Sequence, residues 1–232
     1  MKISKRKKQF VQLVDPKRNY SIPEAVAILK KAPKTKFDET VEVALKLGVD
    51  PKQSDQMVRG TVALPHGTGK RVRVAVFCRE NLQAKAKEAG ADVVGADDLI
   101  EKVRKGEINF DVAVSSPDMM KEVGTLGKIL GPRGLMPNPK VGTVTQDVAK
   151  AVKELKSGRI EFKLDKQADI HVAVGKISFS EQALAENITS FYQTLLKAKP
   201  AGVKGAFVQR VTVSSTMGPG IRLDVTQFKE AS

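Results

Sequence analysis

The sequence predicts a chain of two domains: a split α+β outer domain with antiparallel strands, interrupted by an inserted α/β domain. Two observations predict it. The first and last thirds carry strands whose apolar residues alternate, and the middle carries short apolar strands separated by helical stretches. At 232 residues the chain is long enough to bury a core in each.

The elements follow in order. Ile3, Phe10, Leu13 and Val14 lie near helical spacing with Lys5 to Lys8 between them, which predicts a basic helix over residues 3–14 lying on a domain. Ser21 and Glu24 make a capping box around Ile22 and Pro23, so a second helix starts there and ends near Pro33. In TVEVALKL, Val41, Val43, Leu45 and Leu47 alternate with polar or small residues as in a half-buried strand. A further strand runs from Met57 to Leu64 and stops at Pro65-His66-Gly67-Thr68-Gly69.

The grammar then changes. RVRVAVF (71–77) is a short apolar strand, and ENLQAKAKEAG has helical character. ADVVG leads to a second helix over 97–105, and DVAVS (111–115) is another strand. Strands alternating with helices at this spacing predict a small parallel sheet of the doubly wound type, closed by a helix over 146–156 that ends at Gly158. From Arg159 the alternating strands return as IEFKLD (160–165) and ADIHVAV (168–174). A helix over 181–197 carries Leu184, Ile188, Phe191, Leu195 and Leu196 on one face, and two last strands, 206–214 and 221–228, flank STMGPG.

The outer domain is therefore placed at 1–67 with 159–232, and the insert at 68–158. Gly67 and Gly69 at one crossing and Gly158 at the other are candidate hinge positions; the same glycines would also serve as plain strand and helix ends. The insert holds 16 basic and 12 acidic residues, net +4. Of the chain's 40 basic and 26 acidic residues that leaves 24 and 14 outside it, net +10. A chain of net charge +14 calls for a polyanionic partner, and the distribution puts the main contact on the outer domain.

Other function classes lack support. No run approaches the roughly 18 apolar residues of a membrane span. With no Trp and 5% aromatics, a membrane-surface anchor is also unsupported. MKISKRKKQF has no apolar core behind its charge, and a lone Cys78 cannot form an internal disulfide, so a reducing cytoplasm is expected. Gly67-Thr68-Gly69-Lys70 is not a phosphate loop, because Leu64 and Arg71 stand where Gly and Ser or Thr are required. No dinucleotide fingerprint follows the strand at 71–77. His66 and His171 have no ligand-spaced partner, so neither a metal site nor a cofactor is expected. Asp97-Asp98 and Asp38-Glu39 are adjacent in sequence, which does not make an acid–base pair, and no enzyme activity is expected.

Two Gly- and Pro-rich loops remain. Residues 131–140, GPRGLMPNPK, resist regular structure and offer Arg133 and Lys140. Residues 215–220, STMGPG, join the last two strands, and glycine there would let backbone approach a sugar-phosphate chain; taken alone, either loop reads first as an ordinary tight connection.

Three long segments, KFDETVEVALKLGVDPKQSDQMVRGTVALPHGTGK (36–70), GTLGKILGPRGLMPNPKVGTVT (124–145) and VSSTMGPGIRLD (213–224), resemble the L-one family of bacterial large-subunit ribosomal proteins, and the resemblance runs through nearly the whole chain. It implies a Rossmann-like insert within a split outer domain. It also implies a grip by the outer domain on large-subunit rRNA at the stalk beside the tRNA exit site, and repression of the protein's own operon messenger RNA. Exit-site tRNA and the ribosomal particle are further implied partners, for a protein expected to be cytoplasmic and monomeric when free. The implied RNA surface joins Phe37, Thr40 and Glu42 to Thr216, Met217 and Gly218. Phe37 and Met217 suit sugar or base faces, and Thr40, Thr216 and Glu42 suit 2′-hydroxyls and base edges. Lys36, Arg159 and Lys166, with Arg133 and Lys140 in the insert loop, are secondary candidates for phosphate.

Overall fold

The computed structural model describes residues 5–33, 35–200, 202–203 and 205–228, so Ile3 lies outside the described residues. In chain order its elements are α1 (Lys5–Leu13), α2 (Ile22–Lys31), β1 (Thr40–Leu47), β2 (Arg59–Ala63), β3 (Val74–Phe77), α3 (Glu80–Glu88), β4 (Val93–Gly95) and α4 (Asp97–Arg104). They continue with β5 (Val112–Ser115), α5 (Met120–Gly124), α6 (Gly127–Leu130), α7 (Val148–Lys156), β6 (Arg159–Lys163), β7 (Asp169–Lys176), α8 (Glu181–Lys197), β8 (Val208–Ser215) and β9 (Ile221–Leu223). Two compact units result, residues 1–69 with 160–232 and residues 70–159. These limits fall two residues and one residue later than the pattern change read from the sequence.

The outer unit is a four-stranded sheet in the order β7-β1-β8-β9, in which β1 runs antiparallel to both neighbours and β8 to β9. Strict alternation makes it one-sided. Val41, Val43, Leu45 and Leu47 are buried, as are Ile170, Val172 and Val174 on β7 and Val211 and Val213 on β8. They share a core with Ala25, Val26 and Leu29 of α2 and Leu184, Ile188, Phe191 and Leu195 of α8. Both helices start where the sequence dictates. Ser21 and Glu24 complete the capping box, and the Ser180 hydroxyl accepts the Ala183 amide at 3.1 Å. A two-stranded sheet, β2-β6, is tied by Arg59 to Glu161 at 2.6 Å, and Phe162 stacks edge-on against Phe191 at 5.6 Å.

The last predicted strand is shorter than expected. It ends at Leu223 and gives way to a 3-10 turn over Val225–Phe228. The cause is local: the Asp224 carboxylate accepts both the amide and the hydroxyl of Thr226, at 3.0 and 2.8 Å, which turns the chain out of the sheet.

The second unit is a parallel sheet, β4-β3-β5. VAVF in β3 is buried on both faces, which is why it reads as an apolar run. Ala75 and Phe77 meet Leu99, Ile100 and Val103 of α4 on one side; Val74, Val76 and Cys78 meet Ala86 of α3 and Val148, Val152 and Leu155 of α7 on the other. Segment 116–130 carries a 3-10 turn (Pro117–Met119), α5 and α6, none of which the periodicity predicted. The Gly-Pro loop is also less irregular than expected. Pro139–Val141 is a 3-10 turn, and the Thr143 hydroxyl accepts the Asn138 amide at 2.8 Å, so the loop is pinned at its end.

Candidate nucleic-acid interface

Strand pairing assembles the six principal residues at one end of the outer sheet. Val41 pairs with Ser215 and Glu42 with Ser214 across β1 and β8. Beyond the last pair, the Thr216 amide donates to the Thr40 carbonyl at 3.1 Å and the Thr40 amide donates to the Thr216 hydroxyl at 3.0 Å. That hydroxyl also reaches the Thr40 carbonyl at 3.3 Å. Two segments 176 residues apart are thereby locked edge to edge.

Phe37 stands just before β1 and is held by its neighbours. The Thr35 hydroxyl donates to its carbonyl at 2.7 Å, and the Asp38 carboxylate accepts the hydroxyl and the amide of Ser178 at 2.8 and 3.2 Å. The Ile177 amide donates to the Glu39 carbonyl at 2.8 Å. These bonds tie the loop to the segment after β7, and the Phe37 side chain is 54% exposed. Met217 is 53% exposed on the facing loop. Among the described residues only five large apolar side chains are exposed, and two of them are these.

A β-bulge between Val41 and Glu42 on the β7 side sets the direction of the site residues. It places Thr40 opposite Lys176, whose ammonium donates to the Thr40 hydroxyl at 2.8 Å. Lys176 is a site cation that sequence reasoning missed, because only the cross-strand register brings it to Thr40.

Gly218 also answers to a packing demand inside its own turn. A Cβ there would fall 2.3 Å from the Ser215 hydroxyl oxygen, which is itself buried without a hydrogen-bond partner. Glycine is required by the turn's own packing.

The secondary cations scatter. Lys36 is exposed beside Phe37. Lys166 is exposed in the turn before β7, so it lies at the opposite end of the sheet from Lys176. Arg133, Lys140 and Arg159 belong to the other unit. Arg133 is exposed, and the Lys140 side chain lies outside the described ones. Arg159 is engaged inside its unit, donating to the Val141 carbonyl at 2.8 Å and pairing with Glu154. A phosphate would have to compete with both. At the crossings Gly67, Gly69 and Gly158 all have positive φ (64°, 71° and 102°), and the Gly67 carbonyl accepts the buried Asn187 amide at 3.0 Å.

Among the described residues no group of three or more His, Cys, Asp or Glu could hold a metal, and no helix is long and apolar enough to cross a membrane. The site is built from hydroxyls, one carboxylate, a ring, a thioether and neighbouring lysines on a rigid sheet edge. They form the candidate contact surface of a two-unit α/β protein.

The sequence matches the Ribosomal protein L1p/L10e family over residues 29–219. The chain is 54% identical over 224 residues to the Large ribosomal subunit protein uL1 of Protochlamydia amoebophila (strain UWE25), an alignment covering 97% of this chain and 95% of that protein. The chain belongs to the ribosomal protein L1p/L10e family.

Proposed function

We propose that this protein is a constituent of the large ribosomal subunit and that the end of its outer sheet grips structured rRNA at the stalk beside the tRNA exit site. The observation that carries the reading is the pair of exposed apolar side chains, Phe37 and Met217, flanking Thr40, Glu42 and Thr216 in a chain of net charge +14. Charge alone would attract any polyanion. An exposed ring and thioether beside hydroxyls suit unstacked bases and riboses, and a carboxylate suits donors on base edges or 2′-hydroxyls in preference to phosphate.

The same site serves a similar fold in the protein's own operon messenger, which makes the protein a translational repressor. The insert contributes to the grip through residues 131–140, and the protein assists release of exit-site tRNA. Gly67, Gly69 and Gly158 act as hinge positions, and the protein works in the cytoplasm on the ribosomal particle, as a monomer when free, by binding without catalysis. Competition between stalk RNA and a generic RNA duplex across a salt series tests the reading. Both affinities fall as salt rises, and the preference for stalk RNA survives. Equal affinity for the two RNAs at moderate salt contradicts it.

A further inference from the structure

The sulfur atoms of the chain differ sharply in their access to solvent. Of its six methionines and one cysteine, Met119 and Cys78 are buried in the insert. Burial also pushes the Cys78 thiol up, away from the reactive thiolate. Met120 and Met136 are half-buried, and Met136 packs against the core of the insert. Among the described residues only two sulfur side chains are exposed, Met57 at 47% and Met217 at 53%. They stand at opposite ends of the outer unit: Met217 in the site described above, Met57 on a cleft with Pro51, Leu164 and Lys166.

The turn that carries Met217 is fastened on both sides of it. Before it, the amide and hydroxyl of Thr216 bond the carbonyl and amide of Thr40, at 3.1 and 3.0 Å. After it, the Gly218 amide donates to the Ser215 carbonyl at 3.0 Å. The thioether is therefore held at the surface of a pinned backbone. Surface access and thioether chemistry together make it a target for two-electron oxidants, and its place in the site makes that oxidation consequential.

Given the RNA reading above, on which this rests, we propose that Met217 is a redox modification site: in the free protein a peroxide oxidises its thioether to the sulfoxide, which breaks the RNA grip, and bound RNA shields it. A lone pair on the Met217 Sδ attacks one oxygen of the peroxide and the O–O bond breaks. The proton of the transferred oxygen passes to the departing hydroxide, which leaves as water. Sulfur loses two electrons and the peroxide gains them. The product suits the site badly. A thioether meets bases and riboses as an adaptable apolar side chain, whereas the sulfoxide oxygen is an acceptor that needs a donor once covered. The donors identified within the site, the Lys176 ammonium and the Thr216 hydroxyl, already bond Thr40, and Glu42 claims the donors of the RNA. Because RNA covers the sulfur, the switch acts on unassembled chains and spares those already on the particle. Sulfoxide reduction reverses it.

The test treats the full-length protein with hydrogen peroxide, alone or bound to a stalk-region rRNA fragment. Catalase then removes the peroxide, and peptide mass spectrometry follows each methionine. In the free protein Met57 and Met217 gain oxygen well before Met119; the RNA fragment slows oxidation of Met217 about tenfold and leaves that of Met57 unchanged. Affinity of the oxidised protein for the fragment falls about tenfold with an unchanged unfolding midpoint, and methionine sulfoxide reductase with a thiol reductant restores it. Met57→Leu is as sensitive to peroxide as the wild type. Met217→Leu keeps an apolar side chain of similar volume, and its affinity, whatever the starting value, is the same before and after treatment. Undiminished affinity with Met217 fully oxidised, or a Met217→Leu protein that loses affinity to peroxide as the wild type does, would overturn the switch and leave the RNA site standing. An untreated wild type with no preference for the stalk fragment over a generic duplex would overturn both.

Discussion

The Ser215 hydroxyl and the missing Cβ of Gly218 form a coupled pair. The oxygen is buried without a partner and fills the space a side chain at 218 would need. Gly218→Ala should destabilise the outer unit by about 1 kcal/mol through overpacking. Ser215→Ala, which removes an unsatisfied polar atom, should cost little. Once the oxygen is gone the nearest contact is ordinary, at 3.4 Å. The double variant should then be more stable than the sum of the singles, and urea unfolding of the four proteins measures this; additive losses would refute the coupling. Thr216 and Met217 separate in the same manner. Because the Thr216 hydroxyl accepts the Thr40 amide, Thr216→Val should lower both the unfolding midpoint and RNA affinity, while Met217→Asp, altering an exposed side chain, should lower affinity alone. The sequence marked the members of this cluster through motif resemblance. It could not show that Thr216 is internally bonded or that Lys176 joins them, because those facts depend on a register between segments far apart in the chain.

At the scale of elements, alternation and helical spacing made β1, β7 and α8 legible nearly to the residue, since one face of each is buried. Helices α5 and α6 were not legible: at five and four residues they are too short for periodicity, and each contains glycine. Nor could sequence position reveal what Asn187 does. Fully buried on α8, it accepts the His66 amide at 3.1 Å and donates to the carbonyls of Gly67 and Val174 at 3.0 and 2.7 Å, fastening the loop after β2 to helix and sheet at once. Asn187→Leu should cost about 2–4 kcal/mol by stranding these backbone groups, as read by thermal unfolding; a change within 0.5 kcal/mol, the scale of a neutral surface substitution, would refute the role.

In the insert, Asp92 and Asp111 hold the starts of strands. The Asp92 carboxylate accepts the Val74 amide and pairs with Lys156, and Asp111 accepts the Arg73 amide and pairs with Lys70. The backbone amide is in each case the main cause that keeps the acid below the ordinary aspartate range. Since the native values lie below the unfolded ones, the unfolded chain takes up protons first on acidification. The stabilisation is complete above about pH 4 and is lost as pH falls through the native values. Urea midpoints measured from pH 7 to pH 3 should therefore fall less steeply in an Asp92→Asn, Asp111→Asn double variant than in the wild type. Parallel curves would contradict the assignment.

Across the whole molecule, the change of strand grammar near residues 68 and 159 was visible because a parallel sheet buried on both faces needs different residues from a one-sided antiparallel sheet. The junctions themselves were less visible, since packing between segments far apart in the chain decides which unit holds each residue there. In the proposed function the outer unit alone carries specific RNA recognition, while the insert contributes contacts that slow dissociation of stalk RNA. The most direct test of this reading is binding kinetics of stalk RNA to three proteins: the full chain, an outer unit in which residues 70–159 are replaced by a short flexible bridge, and the insert by itself. The bridged outer unit should fold cooperatively, keep its preference for stalk RNA over a generic duplex and dissociate faster than the full chain, and the insert should show no such preference. A folded outer unit without preference, or an insert that binds as tightly as the whole chain, would contradict this reading.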